Sequence, residues 1–328
     1  MTIAAPTHGE LRAALESVLD GRVIADLSRR PYPYATSFPL EELLVVYQDG
    51  GREVLIFKDL TRERLLPESM ATKPEFLHEP RRCSELYRRV LGPANIGPRF
   101  VGSVPRPGHG VWLFLEKVDG LELWQVGELE RWEAVARWLA RFHLQFADQV
   151  ERLRALDPFL LAFDAGWFEM WGDRALANLA THDDPRAATL LGAITGRRDL
   201  VEVPMWAPIT LVHGELYPSN IILGDGAEPR VCPIDWEMAG IGSGQLDLAA
   251  LVTGWADDDQ RRLAAAYRAA MGAAASDLGD EQEMWRQLAQ ARLHLALQWL
   301  GWSSEWTPPR EHAHDWIGEA LTVLGELD

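Results

Sequence analysis

The sequence predicts an α+β protein in two parts: a small β-rich part at the N-terminus and a larger, mainly helical part after it. Two observations carry this reading. Strand-like apolar runs at 43–47 and 53–57 flank Asp49-Gly50-Gly51, a strong hairpin signal. From residue 128 onward, apolar residues recur mostly at helical spacing, broken by one compact segment at 209–241.

The elements follow in order. Residues 8–19 read as an amphipathic helix with Leu11, Leu15, Val18 and Leu19 on one side. Residues 23–27 read as a first strand, and 29–38 as a punctuated loop. After the hairpin, a helix is expected over 80–91, where Leu86 and Val90 stand one turn apart. Strands are expected at 100–104 and 111–114, separated by the Pro107-Gly108 turn. Residues 116–120 read as a linker. The expected division is therefore 1–115, a hinge at 116–120, and 121–328. In the last part helices are expected near 128–146, 165–180, 187–196, 246–255, 260–271, 281–299 and 312–327.

Composition narrows the class. The 328 residues are 47% hydrophobic and 25% charged, an ordinary globular balance. No apolar run approaches the ~18 residues that span a bilayer, and residues 1–10 show no secretory pattern. Cys83 and Cys232 stand far apart, outside any zinc-like spacing, and read as small buried hydrophobes. A cytoplasmic setting is expected. The net charge of −17, from 49 acidic and 32 basic side chains, argues against nucleic-acid or anionic-membrane partners and is compatible with a cationic acceptor.

Chemistry is concentrated in one segment, Leu211-Val212-His213-Gly214-Glu215-Leu216-Tyr217-Pro218-Ser219-Asn220-Ile221-Ile222-Leu223, followed by Pro233-Ile234-Asp235-Trp236-Glu237. Apolar flanks place a polar loop between two short strands. A turn at Gly224-Asp225-Gly226 would return the chain so that Glu215, Asn220 and Asp235 converge. Phosphoryl transfer needs such parts. A carboxylate orients the acceptor's proton, while an amide oxygen and a second carboxylate hold magnesium, a hard cation. A lysine must neutralise the phosphates, and Lys58, at a strand end, is the natural candidate. Asp235 stands out, because a carboxylate after Val-Cys-Pro-Ile is costly to bury without a partner or a metal. Glu237 reads either as a second metal-side carboxylate or as a salt-bridge partner.

These motifs resemble the aminoglycoside phosphotransferase family with its choline-kinase-like relatives. The similarity extends to Ile56-Phe57-Lys58, Phe114-Leu115-Glu116, Gly240-Ile241-Gly242 and Asp247-Leu248-Ala249. The resemblance implies a two-lobed protein-kinase-like fold and an ATP- and Mg2+-dependent transfer to an alcohol group. By the same resemblance Lys58 pairs the ATP phosphates, and backbone near Glu116 and Val118 meets the adenine. Glu215 takes the catalytic acid–base position, Asn220 and Asp235 bind magnesium, His213 supports the loop, and Asp247 braces it. The family usually has aspartate where Glu215 stands. The loop at 30–38 lacks glycine, so Thr36 and Ser37 would meet the phosphates through backbone N–H and hydroxyl groups. The carboxylate for Lys58 is read as Glu79, one turn before Cys83 on the expected helix, with Glu85, two residues after Cys83, as the alternative. Acceptor binding is assigned to the helical part, where 164–173 reads either as an amine-binding face of acids and aromatics or as a packing helix; Trp255 with Asp257, Asp258 and Asp259 is a second candidate. The expected acceptor is a small molecule. Alternatives are Ser/Thr of a peptide, or no turnover at all, as in a nucleotide-binding scaffold.

Overall fold

The structure, a computed structural model, describes residues 5–33, 35, 37–156, 159–197, 206–226, 229–302 and 314–327. Contacts divide the chain into two compact units. The first comprises residues 1–121 and 222–237, and the second 122–221 and 238–328.

The first unit begins with α1 (His8–Glu16), whose start is set by a capping box: the Thr7 hydroxyl accepts from the Glu10 N–H and the Glu10 carboxylate accepts from the Thr7 N–H. Strands β1 (Ile24–Pro31), β2 (Leu40–Tyr47) and β3 (Arg52–Asp59) follow. Next come α2 (Pro67–Thr72), α3 (Arg81–Leu86) and the short α4 (Gly92–Ala94), then β4 (Phe100–Pro105), β5 (Val111–Glu116) and the two-residue β6 (Leu121–Glu122). The first five strands form one antiparallel sheet in the order β1-β2-β3-β5-β4. At the β2–β3 turn Gly50 takes φ +86°, and the Asp49 carboxylate accepts the Gly51 N–H at 2.8 Å.

Strand alternation decides what β3 presents. Leu55 and Phe57 are buried in a cluster with Leu11 and Leu15 of α1, with Val45, Trp112 and Phe114 alongside. Burying each such side chain contributes about 1.5–3 kcal/mol. Period-two geometry then turns Ile56 and Lys58 to the other face. The helix expected over 80–91 is α3 continued by a π-helical turn, Tyr87–Leu91, which displaces the simple 3.6-residue register.

The second unit contains α5 (Leu129–Ala147), α6 (Val150–Leu156), β7 (Leu161–Ala162), α7 (Ala165–Leu179), α8 (Arg186–Gly196) and β8 (Ile209–Val212). After β9 (Ile221–Leu223) and β10 (Val231–Pro233), the chain forms β11 (Gly240–Ser243), α9 (Gln245–Val252), α10 (Asp257–Met271), α11 (Glu281–Leu300) and α12 (Trp316–Leu327). Strand β11 pairs antiparallel with β8 and parallel with β7. One core of this unit gathers Leu190 and Ile194, Leu293 and Leu297, and Ile317 and Val323 from α8, α11 and α12. The fold is α+β, with the strand-rich part first and the helical part after it. The start of the last expected helix, 312–313, lies outside the described residues. Among the described residues no helix is long and apolar enough to cross a membrane.

Candidate active site

Lys58 lies at the end of β3, opposite Leu40 of β2 and Leu113 of β5. Strand β9 leads through Gly224, whose N–H bonds the Arg230 carbonyl, into the neighbouring β10. That return brings Asp235 and Glu237 into the first unit. Asp235 adopts φ +62°, a left-handed conformation that Asp tolerates better than most residues. Its Oδ1 lies 2.6 Å from Lys58 Nζ.

Glu237 completes the cluster. Its Oε1 is 2.5 Å from Lys58 Nζ and its Oε2 is 2.6 Å from Lys73 Nζ. Both ammonium groups lie near the Phe38 ring, at 5.9 and 5.8 Å from its centroid. Arg82 donates to the backbone carbonyl of Glu237 and, at 3.1 Å, to that of Leu77. Burial would raise the Glu237 carboxyl, but Lys58 and Lys73 hold it well below the usual range. Burial likewise opposes charge on Lys58, yet Asp235 and Glu237 hold its ammonium above its ordinary value. The Cys83 thiol beside them is pushed up to about 12, by burial and then by the Glu237 charge.

One expectation is corrected here. Glu79 does not pair with Lys58. Helix α3 starts only at Arg81, so Glu79 precedes it and does not share the Cys83 face. Its carboxylate instead accepts from Arg81 N–H and Nε, at 3.1 and 3.0 Å. Despite burial, those bonds hold the Glu79 carboxyl below its usual value.

The other residues assigned to the nucleotide are placed as follows. Thr36 lies outside the described residues. Ser37 offers its carbonyl to the Leu66 N–H at 2.9 Å. Glu116 ends β5, one residue inside the segment read as a linker, and binds Arg230 at 2.9 Å while accepting the Arg99 N–H at 2.8 Å. Val118 is half-buried in the irregular stretch after β5.

The second unit holds the loop between β8 and β9. Its anchor is Asp247, fully buried in the first turn of α9. The two Asp247 oxygens accept the backbone N–H groups of His213 (2.7 Å) and Gly214 (2.9 Å). His143 Nε2 lies 3.3 Å from the same carboxylate, and its Nδ1 lies 2.8 Å from the Tyr267 hydroxyl. Gly214 has φ +82°, and a Cβ there would meet the Met238 carbonyl, so only glycine fits.

His213 is fully buried, and its Nδ1 accepts the Glu215 N–H at 3.3 Å. Asn220 Nδ2 donates to the Glu215 carbonyl at 2.9 Å. That bond uses the donor end of the amide and leaves Oδ1 as its acceptor end. Glu215 is half-buried, with its backbone held on both sides. Tyr217, two residues on, accepts Trp299 Nε1 at 2.5 Å.

The segment 164–173 forms the start of a packing helix. Asp164 caps α7 by accepting the Trp167 N–H at 3.1 Å; Trp167, Phe168 and Trp171 are buried, while Glu169 is exposed. Trp255 meets Trp132 edge-on at 5.1 Å, and Asp257, Asp258 and Asp259 form the first turn of α10.

The sequence leaves Lys73 unmarked and Glu237 open between two roles. Lys73 sits before Pro74 in a stretch without periodicity, so nothing local marks it. Glu237 was marked by its place two residues after Asp235, and the structure makes it the salt-bridge partner of two lysines. Among the described residues, no group of three or more His, Cys, Asp or Glu side chains forms a metal cluster. A magnesium ion does not need one. It takes one or two carboxylates and completes its shell with water and substrate phosphate. In the first unit, the Asp235 carboxylate is one-third exposed and fits that chemistry.

The sequence model of the phosphotransferase enzyme family matches residues 66–290. The chain belongs to this family and is an enzyme of the phosphotransferase class. A search of curated protein sequences finds no match. Among solved structures, the chain is similar to the GDP complex of wild-type aminoglycoside 2'-phosphotransferase-IIIa, with 14% identity, 98% of each chain covered and a TM-score of 0.62. It is also similar to choline kinase from Streptococcus pneumoniae, with 14% identity, 98% of this chain and 100% of that one covered, and a TM-score of 0.59. A microcompartment-associated aminopropanol kinase shares 18% identity over 91% of this chain and 90% of its own, at a TM-score of 0.57. At these identities the likeness shows the fold.

Proposed function

We propose that this phosphotransferase moves the γ-phosphoryl group of Mg-ATP to a hydroxyl of a small, amine-bearing molecule. The observation that carries the reading is the ion pair of Lys58 with Asp235, which joins a strand-end lysine to a carboxylate 177 residues away. A cation paired with a partly exposed carboxylate is the arrangement that polyphosphate and magnesium require. Lys58 neutralises the phosphates, Asp235 and Asn220 supply oxygen ligands to the ion, and Glu215 orients the acceptor hydroxyl. His213 and Asp247 hold the loop that carries Glu215. Magnesium, when bound, screens the charge between phosphate oxygens. An amine-bearing acceptor is supported by the net charge of −17 and by the names of the aminoglycoside, choline and aminopropanol kinases that share the fold.

Thermal unfolding with Mg-ATP tests this first. A ligand at ~100 times its dissociation constant adds about 2.7 kcal/mol and raises the midpoint by a few degrees. The expected result is a magnesium-dependent rise that Asp235→Ala abolishes. No rise at millimolar Mg-ATP would sink the ATP reading.

A further inference from the structure

Lys58 lies between two carboxylates, and both come from the chain just beyond β10. Helix α3 gives it none: its buried side chains are Arg82, Cys83, Ser84 and Leu86. Glu237 is anchored twice over. Arg82 holds its backbone carbonyl, and Lys58 and Lys73 take one carboxylate oxygen each. Lys58, Lys73 and Glu237 have side chains only 12, 8 and 11% exposed, so water screens this triad weakly.

Charge counting shows what Lys73 adds. Lys58 and Lys73 face the carboxylates of Asp235 and Glu237, with the Arg82 guanidinium on the Glu237 backbone. A cation that takes Asp235 withdraws one negative charge from Lys58. Glu237 alone would then leave Lys58 in a neutral pair. Lys73 on the second oxygen brings another ammonium to that pair.

We propose that Glu237 and Lys73 are positioning residues for Lys58. The carboxylate arrives from beyond Asp235 instead of from α3, and Lys73 preserves the positive charge that a polyphosphate needs. This rests on the Mg-ATP reading given above. Lys58 touches the phosphates; Glu237 and Lys73 act through it.

The test is the dissociation constant of the full chain for Mg-ATP. The double variant Glu237→Gln with Lys73→Met removes one charge of each sign and leaves Lys58 paired with Asp235. It is expected to unfold near the wild-type midpoint yet bind Mg-ATP roughly 10- to 100-fold more weakly, the scale of losing groups that orient a liganding residue. Adding Cys83→Glu to that double variant places a carboxylate on α3 and is expected to recover a substantial part of the loss. A role confined to fold stability would not produce such a rescue. Should the double variant not fold, Lys73→Met alone carries the test, with about tenfold weaker binding expected. Wild-type affinity in a folded variant would overturn the assignment while leaving the ATP reading intact. Absence of Mg-ATP binding by the wild-type chain would overturn both.

Discussion

At Glu215 one methylene separates the residue present from aspartate, the shorter carboxylate. Its backbone has little freedom to compensate: the N–H bonds His213 and the carbonyl takes Asn220. A side chain rooted in a fixed backbone reaches as far as its own length allows. Glu215→Asp therefore draws the carboxylate back by about 1.5 Å, one carbon–carbon bond. We expect phosphate transfer to fall about 100-fold with Mg-ATP affinity unchanged. Single-turnover transfer to an acceptor found by screening measures this, and a gain in rate would contradict a site adapted to glutamate. At this scale the sequence was informative about identity and weak about partners. Lys58, Asp235 and Glu215 stood out from their motif. The pairing of Lys58 did not, because salt bridges depend on distances that a linear spacing does not encode.

Elements were read well where apolar periodicity runs long and poorly where it is short. Helices α5, α7, α8, α10 and α11 lie within a few residues of their expected bounds. The two-residue β7 and the helix α2 carry no usable period, and the π-helical turn after α3 breaks the one it follows. Burial was harder to read than helicity. Helix α11 is enclosed along most of its length, including Gln287, Gln290, Arg292, His294 and Gln298. Arg292 is matched by Glu319 and Glu326 of α12, at 2.8 and 3.0 Å. His294 is packed 4.4 Å from the Phe168 ring, and burial holds its pKa down at about 3.

A histidine kept neutral in the fold makes stability depend on pH. Between about 3 and 6.5 the unfolded chain binds a proton at this position that the folded chain does not. Stability is thus complete above the unfolded value and falls as pH drops below it, by about 1.4 kcal/mol per pH unit from this residue. Denaturant unfolding at pH 6.5 and 5.0 checks this. His294→Gln is expected to lose that part of the slope, and an identical slope in both proteins would refute the assignment.

For the whole molecule, the partition that matters is not a single cut. The first unit takes in 222–237 from far along the chain. It needs them because Lys58 and Lys73 are buried against Asp235 and Glu237. Removing one side of a buried ion pair leaves an uncompensated charge, at a cost of about 3–5 kcal/mol. A fragment of residues 1–121 is therefore expected to lack a cooperative unfolding transition. The same fragment joined by a short linker to 222–237 is expected to regain one. Circular dichroism during thermal unfolding distinguishes the two, and a cooperative transition in the shorter fragment would contradict this account.

The sequence by itself determined the α+β class and the order of strand-rich and helical parts, and it marked the residues proposed for phosphoryl chemistry. Those follow from local causes: period-two and helical patterning, caps, turn residues, and a compact run of polar groups between apolar flanks. Only the tertiary structure decided that Glu237 and not Glu79 meets Lys58, that Lys73 joins them, and that Asp247 braces its loop through the backbone N–H groups of His213 and Gly214. Each of these depends on where distant segments cross in space. Buried charges bind whichever partner the packing brings within reach, and packing is a property of the whole chain.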